Sequence, residues 1–372
     1  MWPLPYGVSY NSYLIDDEMV ALVDTVDICY FEVYLRKIKQ VIGERPINYL
    51  IINHMEPDHS GSIRLIKQHY PEIIIVGNKQ TFGMIEGFYG VTGEQYLVKE
   101  GDFLALGHHK LRFYMTPMVH WPETMMTFDE TDGVLFSGDG FGCFGTVDGG
   151  FLDTRINVDK YWGEMVRYYS NIVGKYGSPV QKALQKLGGL PISAICSTHG
   201  PVWTENIAKV IGIYDRLSRY DADEGVVIAY GSMYGNTEQM AEAIAEELSA
   251  QGVKNIVMHN VTKSHPSYII ADIFRYKGLI IGSPTYSNQI FPEVEALLSK
   301  ILLREVKGRY LGYFGSFTWA GAAVKRLAEF AEKSKFELVG DPVEMKQAMK
   351  DLTYTQCENL ARAMADRLKK DR

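Results

Sequence analysis

Two periodicities alternate along the chain. Between Gly7 and about Thr204, short apolar runs are interleaved with stretches in which apolar residues recur every three to four positions, so strands and helices are expected in turn. "SYLIDDEMVALVDTV" reads as a hairpin, "YFEVYLRKIKQVIG" as a helix, and "INYLIIN" and "EIIIVGN" as buried strands. "LRFYMTPM", "MMTFDETDGVLFSG" and "ISAICSTHG" continue the strand pattern, and a polar cluster follows each.

After the helical stretch "NIAKVIGIYDRLSRY" the pattern changes. The charged segment "DADEG" leads into "VVIAYGSMYGNTEQMAEAIAEELSAQG", an apolar strand, a polar loop and an amphipathic helix in succession. Strands "GLIIGSPTY" and "YLGYFGSF" then alternate with helices "PEVEALLSKILL" and "AAVKRLAEFAEKS", the signature of a parallel sheet wrapped by helices. A chain of 372 residues exceeds what one core ordinarily serves, so two domains are expected, 1–222 and 223–372, divided near Asp223.

Composition bears on partners more than on fold. Hydrophobic content of 46% with 22% charged residues is that of a soluble globular chain, and no apolar run approaches the roughly 20 residues of a membrane helix. The start, "MWPLPYGVSYNSYLIDDEM", has neither a basic opening nor a continuous apolar stretch, so no secretory signal and a cytoplasmic location are expected. A net charge of -7 without a basic run argues against nucleic acid as a partner. Cys29, Cys143, Cys196 and Cys357 are far apart and form no Cys-x-x-Cys pair, so they are expected as small core residues.

The first chemistry-bearing cluster is "HMEPDHSGS", His54 to Ser62, directly after a buried strand. His54, Glu56 and Asp58 are expected to alternate on an extended backbone, with Pro57 holding the preceding residue extended. With His59, four ionisable groups crowd a strand end, and a cation would neutralise them. Three more donors stand at later strand ends: His120 in "TPMVHWPET", Asp139 in "LFSGDGFG" and His199 in "CSTHGPVW". Seven N and O donors suit two ions, with one carboxylate able to bridge. His69, His108, His109, His259 and His265 lack ligand spacing and are expected to be structural or surface residues. "GFGCFG", Gly140 to Gly145, matches the glycine pattern of dinucleotide binders, but "TVDGGFLD" follows it where a helix is required, so nicotinamide is not expected there.

The second cluster is the loop "SMYGNT": Ser232, Met233, Tyr234, Gly235, Asn236 and Thr237, between a strand and a helix. Hydroxyls and backbone N–H groups at a helix start make an anion pocket, and without the Walker lysine a nucleoside triphosphate is not expected. Two further loops end strands of the same sheet. One carries Ser283, Pro284, Thr285, Tyr286 and Asn288, the other Ser316, Phe317, Thr318, Trp319, Ala320 and Gly321. Tyr286 and Trp319 are placed to stack a flat ring in the crevice beyond the strand ends.

The donors of the first half resemble the metallo-β-lactamase fold, whose hydrolases carry His-x-His-x-Asp-His followed by His, Asp and His in this order. Glu56 replaces the second histidine. A carboxylate in that position is a harder, charged donor and moves the expectation from zinc hydrolysis to iron redox chemistry. The second half looks like a flavodoxin, whose first loop holds the FMN phosphate and whose other two flank the isoalloxazine. Together they resemble the flavodiiron proteins (A-type flavoproteins) over essentially the whole chain. The fold implied is an α/β metallo-β-lactamase-like αββα sandwich followed by a flavodoxin-like doubly wound parallel sheet.

That resemblance implies further expectations. His54, Glu56 and His120 would hold one iron, Asp58, His59 and His199 the other, with Asp139 bridging, although members differ at the position of His59. The family reduces nitric oxide to nitrous oxide, dioxygen to water, or both, with electrons passing from FMN to the irons. Its two centres lie far apart within one subunit, so a head-to-tail homodimer is implied, alone or as a dimer of dimers. Relatives usually carry a further segment before "WPLPYGVSYNSYLI", so a shortened or naturally short start is expected; in the third flavin loop relatives often have glycine where Thr318 and Ala320 stand. No rubredoxin-type cysteine pairs are present in the sequence, so a separate donor is expected, rubredoxin or reduced coenzyme F420. A zinc hydrolase fused to a flavodoxin and an electron carrier with an inert first half are the alternatives, and metal analysis separates all three.

Overall fold

The structure, a computed structural model, describes residues 2–371. Chain packing divides it into two compact units. One comprises Leu4–Tyr169 and Tyr176–Ser218; the other comprises the chain from Arg219 onward together with Ser170–Lys175 and the N-terminal Trp2 and Pro3.

The first unit holds two five-stranded sheets. In the first, β1 (Tyr13–Ile15), β2 (Ala21–Val23), β3 (Tyr49–Ile51), β4 (Ile74–Gly77) and β5 (Gln95–Leu97) lie in chain order, antiparallel at the β1–β2 hairpin and parallel thereafter. In the second, β6 (Phe103–Ala105), β7 (Lys110–Met115), β8 (Met125–Asp129) and β9 (Val134–Gly138) form an antiparallel meander, and β10 (Ala194–Ser197) joins β9 in parallel. Alternation along the strands divides their side chains. Ala21, Val23, Ile51 and Val76 meet Leu111, Phe113, Met125 and Phe136 between the sheets. Leu22, Leu50 and Ile75 point the other way, onto α1 (Phe31–Ile42), α3 (Ile63–His69) and α4 (Lys79–Tyr89). A single helical turn, α2 (Pro57–Ser60), precedes α3.

Beyond the second sheet come α5 (Asp159–Tyr168), α6 (Gly177–Leu187) and α7 (Ile207–Ser218). The Gln181 amide of α6 donates to Asp215 and Ser218 of α7, and the Tyr214 hydroxyl donates to the Gly142 carbonyl just past β9. Residues 140–145 form no helix.

The second unit is a parallel sheet in the order β12 (Ile256–Asn260), β11 (Asp223–Tyr230), β13 (Tyr276–Tyr286), β15 (Tyr310–Phe317), β16 (Glu337–Leu338), with β17 (Val343–Lys346) continuing along β15. Helices α8 (Asn236–Ala250) and α12 (Asp351–Lys369) bury Met240, Ile244, Leu360 and Met364 against Val226, Ile228 and Ile280. Also in this unit are α9 (Pro266–Arg275), α10 (Pro292–Leu303) and α11 (Ala323–Ser334). The strand order 2-1-3-4-5 is that of the flavodoxin type, and its ligand crevice lies beyond the carboxyl ends of β11, β13 and β15.

Three expectations change. β11 starts at Asp223, so "DADEG" is partly strand: sheet pairing with Tyr276 captures polar residues that propensity alone leaves in a loop. β13 runs on through Tyr286 and returns as β14 (Gln289–Ile290), making the middle flavin loop a hairpin whose turn residues Ser287 and Asn288 both have positive φ. Cys143, Cys196 and Cys357 are buried, but Cys29 is exposed on the short helical turn Ile28–Tyr30; all four are free.

Candidate metal centre and flavin cleft

Strand ends of both sheets of the first unit supply the seven predicted donors. At Glu56 the backbone is extended (φ -58, ψ 139), as the following proline favours. It then turns helical at Pro57, which corrects the expectation of continued alternation. Proline at the first position of a helix loses no hydrogen bond, so the turn forms without cost there. Asp58 and His59 are therefore carried by a helical turn and not by an extended strand. His120 lies between β7 and β8, Asp139 just after β9 and His199 just after β10.

All seven come together, in two groups. In the first, His120 Nε2 lies 3.3 Å from His54 Nε2, 3.0 Å from Glu56 Oε2 and 3.1 Å from Asp139 Oδ2. In the second, His59 Nε2 lies 3.1 Å from His199 Nε2, 3.3 Å from Asp58 Oδ2 and 3.0 Å from Asp139 Oδ1. Asp139 thus turns one oxygen to each group. Separations of this size are the edges of a polyhedron whose centre lies about 2 Å from each corner, the bond length of a divalent cation to N and O ligands.

The electrostatics point the same way. Burial would lower the His120 imidazole, but hydrogen bonds with Asp139 and Glu56 outweigh it and push it up to about 9. Burial would raise the Glu56 carboxyl, yet hydrogen bonds from His120 and His54 bring it to about 2. For Asp139, buried among His59, His120 and His54, the imidazoles overcome the burial cost and hold it well below the carboxylate range. The field is one that stabilises positive charge.

Several residues outside the predicted set hold this centre in place. Asp24, in left-handed conformation at the end of β2, accepts the backbone N–H groups of Asn53 (2.8 Å) and His54 (3.2 Å). Glu123 accepts from His54 Nδ1 and from the Met55 amide, and the Ser9 carbonyl accepts from His199 Nδ1 at 2.7 Å. Among the five remaining histidines, His109 pairs with Asp129 and lies near Asp132, His259 pairs with Asp272, and His265 accepts from the Ser267 amide at the start of α9.

In the second unit a cavity of about 330 Å³ opens at the strand ends. Of the predicted residues, Met233, Tyr234, Asn236, Thr237, Pro284, Thr285, Ser316, Phe317 and Thr318 line it, and Gln347 and Ala348 after β17 complete the wall. Gly235, at φ 87, lets the chain turn into α8, whose first residues Asn236 and Thr237 line the cavity; the Gly235 amide donates to Ser232 Oγ. Thr237 Oγ1 and Ser316 Oγ are 2.8 Å apart, tying the first loop to the third. Ser283 instead takes the Phe291 amide, while Tyr286, Asn288, Trp319, Ala320 and Gly321 stand outside the wall. Tyr234 (86% exposed) and Trp319 (84%) leave large rings in solvent next to the cleft. Such exposure is the informative kind, pointing to a face that something else covers.

Residues 8–200 match the family model described as ODP family beta lactamase, and residues 228–359 match flavodoxin. The anaerobic nitric oxide reductase flavorubredoxin of Vibrio vulnificus is 33% identical over 336 residues, 89% of this chain and 68% of that protein. Rubredoxin oxygen:oxidoreductase from Desulfovibrio gigas superposes with a TM-score of 0.95 at 31% identity, covering 99% of this chain and 92% of the other. The flavodiiron protein of Giardia intestinalis does so at 0.91 and 26%, covering 98% and 91%. The chain belongs to the flavodiiron proteins.

A flavodiiron chain carries a pair of irons and FMN, and the donors present fit both. Four imidazole nitrogens with three carboxylates are an iron set, and no thiolate is among them. In each group two Nε2 atoms face each other at hydrogen-bond distance, and buried Asp58 Oδ1 has no protein partner; a cation relieves the first and water or a cation the second. For FMN the fit lies in a helix start of the anion-binding kind at one side of a cleft that sets Tyr234 and Phe317 rings beside the hydroxyls of Thr237, Thr285, Ser316 and Thr318. Glu123 left no trace in spacing or periodicity, because its partner His54 is distant in sequence, and Gln347 left none because it follows a strand outside the three loops that the pattern singles out.

Proposed function

We propose that this chain reduces nitric oxide to nitrous oxide, dioxygen to water, or both, at a non-haem diiron centre supplied with electrons through FMN. The observation that carries this reading is Asp139, with one oxygen in each donor group, because two cations held by one carboxylate are close enough to act on the same small molecule. His54, Glu56 and His120 hold one iron and Asp58, His59 and His199 the other. When bound, adjacent ferrous ions supply electrons in pairs to a diatomic gas, and FMN accepts electrons singly or in pairs to replace them.

The remaining parts belong to this chain. Side chains of Glu56 and Asp58 are 37% and 24% exposed, whereas the imidazoles and Asp139 are buried. Gas therefore enters between the two carboxylates, and the buried side excludes water. Ser232, Asn236, Thr237 and the α8 amides bind the FMN phosphate, while the loops from Ser283 to Asn288 and from Ser316 to Gly321 flank the ring. Residues 1–222 carry the irons and 223–372 the flavin. A head-to-tail homodimer, alone or paired again, brings the flavin of one chain to the irons of the other.

Electrons come from a separate donor. The word rubredoxin in the names of the Vibrio and Desulfovibrio relatives supports that protein as the donor, with reduced coenzyme F420 the alternative. No helix among the described residues is long and apolar enough to cross a membrane, and we place the protein in the cytoplasm.

Metal and flavin analysis followed by steady-state gas consumption tests the proposal. About two irons and one FMN per chain are expected, with NO or O₂ consumed when a chemically reduced donor is supplied. Zinc as the resident metal, or a fully loaded protein that consumes neither gas, would overturn it.

A further inference from the structure

We infer that Glu123 is a positioning residue that makes the His54 side of the metal centre the tighter of its two cation positions. The inference rests on the diiron reading above and goes beyond it, because it distinguishes two positions that their own ligands leave nearly alike.

Glu123 is fully buried, just ahead of β8. Its Oε1 lies 2.9 Å from His54 Nδ1 and 2.9 Å from the Met55 amide nitrogen. A carboxylate oxygen only accepts, so both groups donate to it, and the imidazole proton sits on Nδ1. In the neutral ring, the form that binds a cation, Nε2 keeps its lone pair; it lies 3.3 Å from His120 Nε2 and 3.4 Å from Glu56 Oε2. The main chain that carries it is anchored too: the Asn78 side-chain amide donates to the Glu123 backbone carbonyl at 2.6 Å.

The other metal position has no equivalent. His199 Nδ1 donates to a neutral backbone carbonyl, that of Ser9. His59 Nδ1 is buried without a hydrogen-bond partner. A charged acceptor behind an imidazole makes its other nitrogen a stronger donor than a neutral acceptor does, and it fixes the ring before the ion arrives. The order of ligand strength is therefore His54, then His199, then His59. A second observation points to the same role. Glu123 Oε2 is buried with no partner, an arrangement that costs stability and that packing alone does not explain.

The test uses the full-length chain, chelated and then titrated with cobalt(II), whose visible absorption reports binding without turnover. Glu123→Gln keeps the side-chain shape and an acceptor for both N–H groups but removes the charge. Its first cobalt is expected to bind roughly 10- to 100-fold more weakly than in the parent, while the thermal midpoint of the chelated protein does not fall. Glu123→Asp, which keeps the charge on a shorter stem, is expected to recover part of the loss. Parental affinity for the first ion in Glu123→Gln overturns the inference. So does a chelated-protein midpoint that falls in step with affinity in both variants, since Glu123 would then serve the fold alone. A parent chain that binds no cobalt overturns the diiron reading itself, a result distinct from either.

Discussion

In the proposed reaction Glu56 is the residue on which the chemistry turns. An imidazole at this place would leave a neutral donor beside His54 and His120; the carboxylate adds a negative charge and an oxygen to a site already holding Asp139. Replacing it with alanine is expected to empty the His54 side preferentially and to lower gas reduction about 100-fold or more, while reduction of FMN by the donor survives. Iron content with stopped-flow flavin reduction checks both halves of that statement. At the flavin end, Asn236→Asp puts a carboxylate beside the phosphate site at the start of α8 and is expected to weaken FMN about tenfold or more, measurable by titrating apoprotein fluorescence. Residues such as these are legible in the sequence because each stands in a short polar loop that follows an apolar strand, where a polar cluster needs a reason. Glu123 also stands in a quoted motif, "HWPET", but its partner is 69 positions away and nothing in local spacing announces it.

At the scale of elements, hydrophobic period two and period 3.6 located nearly every strand and helix that presents a functional side chain, including the β8–β9 hairpin and the β11–α8 unit. What periodicity does not hold is how a loop bends between them. The turn at Pro57 comes from proline's fitness for the first helical position, and the extension of β13 into a hairpin from two left-handed residues at its tip. A comparable loop device precedes α7, where buried Asp153 accepts from the amides of Thr204, Glu205 and Asn206 and from the Thr204 hydroxyl. Burial would raise this carboxyl, but hydrogen bonds from Thr204 and Asn206 prevail and hold it below its ordinary value. Because the folded form is the more acidic, its contribution is complete above about pH 4 and fades as pH falls through the lowered value. Asp153→Ala is expected to cost about 2–4 kcal/mol near neutrality, with the gap from the parent narrowing toward pH 3 in denaturant titrations.

For the whole molecule, the dimer proposal carries a prediction that no single-chain scheme shares. Glu56→Ala is expected to lack a working metal centre, and Asn236→Asp, stripped of FMN and assayed without added flavin, to lack the cofactor, so each alone is expected to be nearly inactive. Mixed and allowed to exchange subunits, they form heterodimers in which the flavin of one chain meets the irons of the other. If half the dimers are mixed and one of two sites in each is complete, about a quarter of parental activity returns. No recovery after exchange has been demonstrated, for example by mass-tagged subunits, would refute the head-to-tail arrangement. The two-domain plan itself was readable from the change of pattern near Asp223, because parallel βα units write a regular alternation of apolar strands and amphipathic helices.

The short stretch Ser170–Lys175 adds a consequence for anyone wishing to take the chain apart. It belongs with the later unit: the Asn171 amide donates to the Ser267 carbonyl, the Tyr220 hydroxyl donates to the Gly174 carbonyl, and a Cβ on Gly174 would come within 2.7 Å of Phe274. The polypeptide therefore weaves from one body to the other and back before its final crossing. A fragment begun at Asp223 leaves the ring of Phe274 and the start of α9 bare, and a chimera joined at one crossover inherits a seam from two parents. Modular exchange of this flavin half must transplant Ser170–Lys175 and the N-terminal Trp2 and Pro3 along with the chain from Arg219, or redesign the faces that the short segments cover.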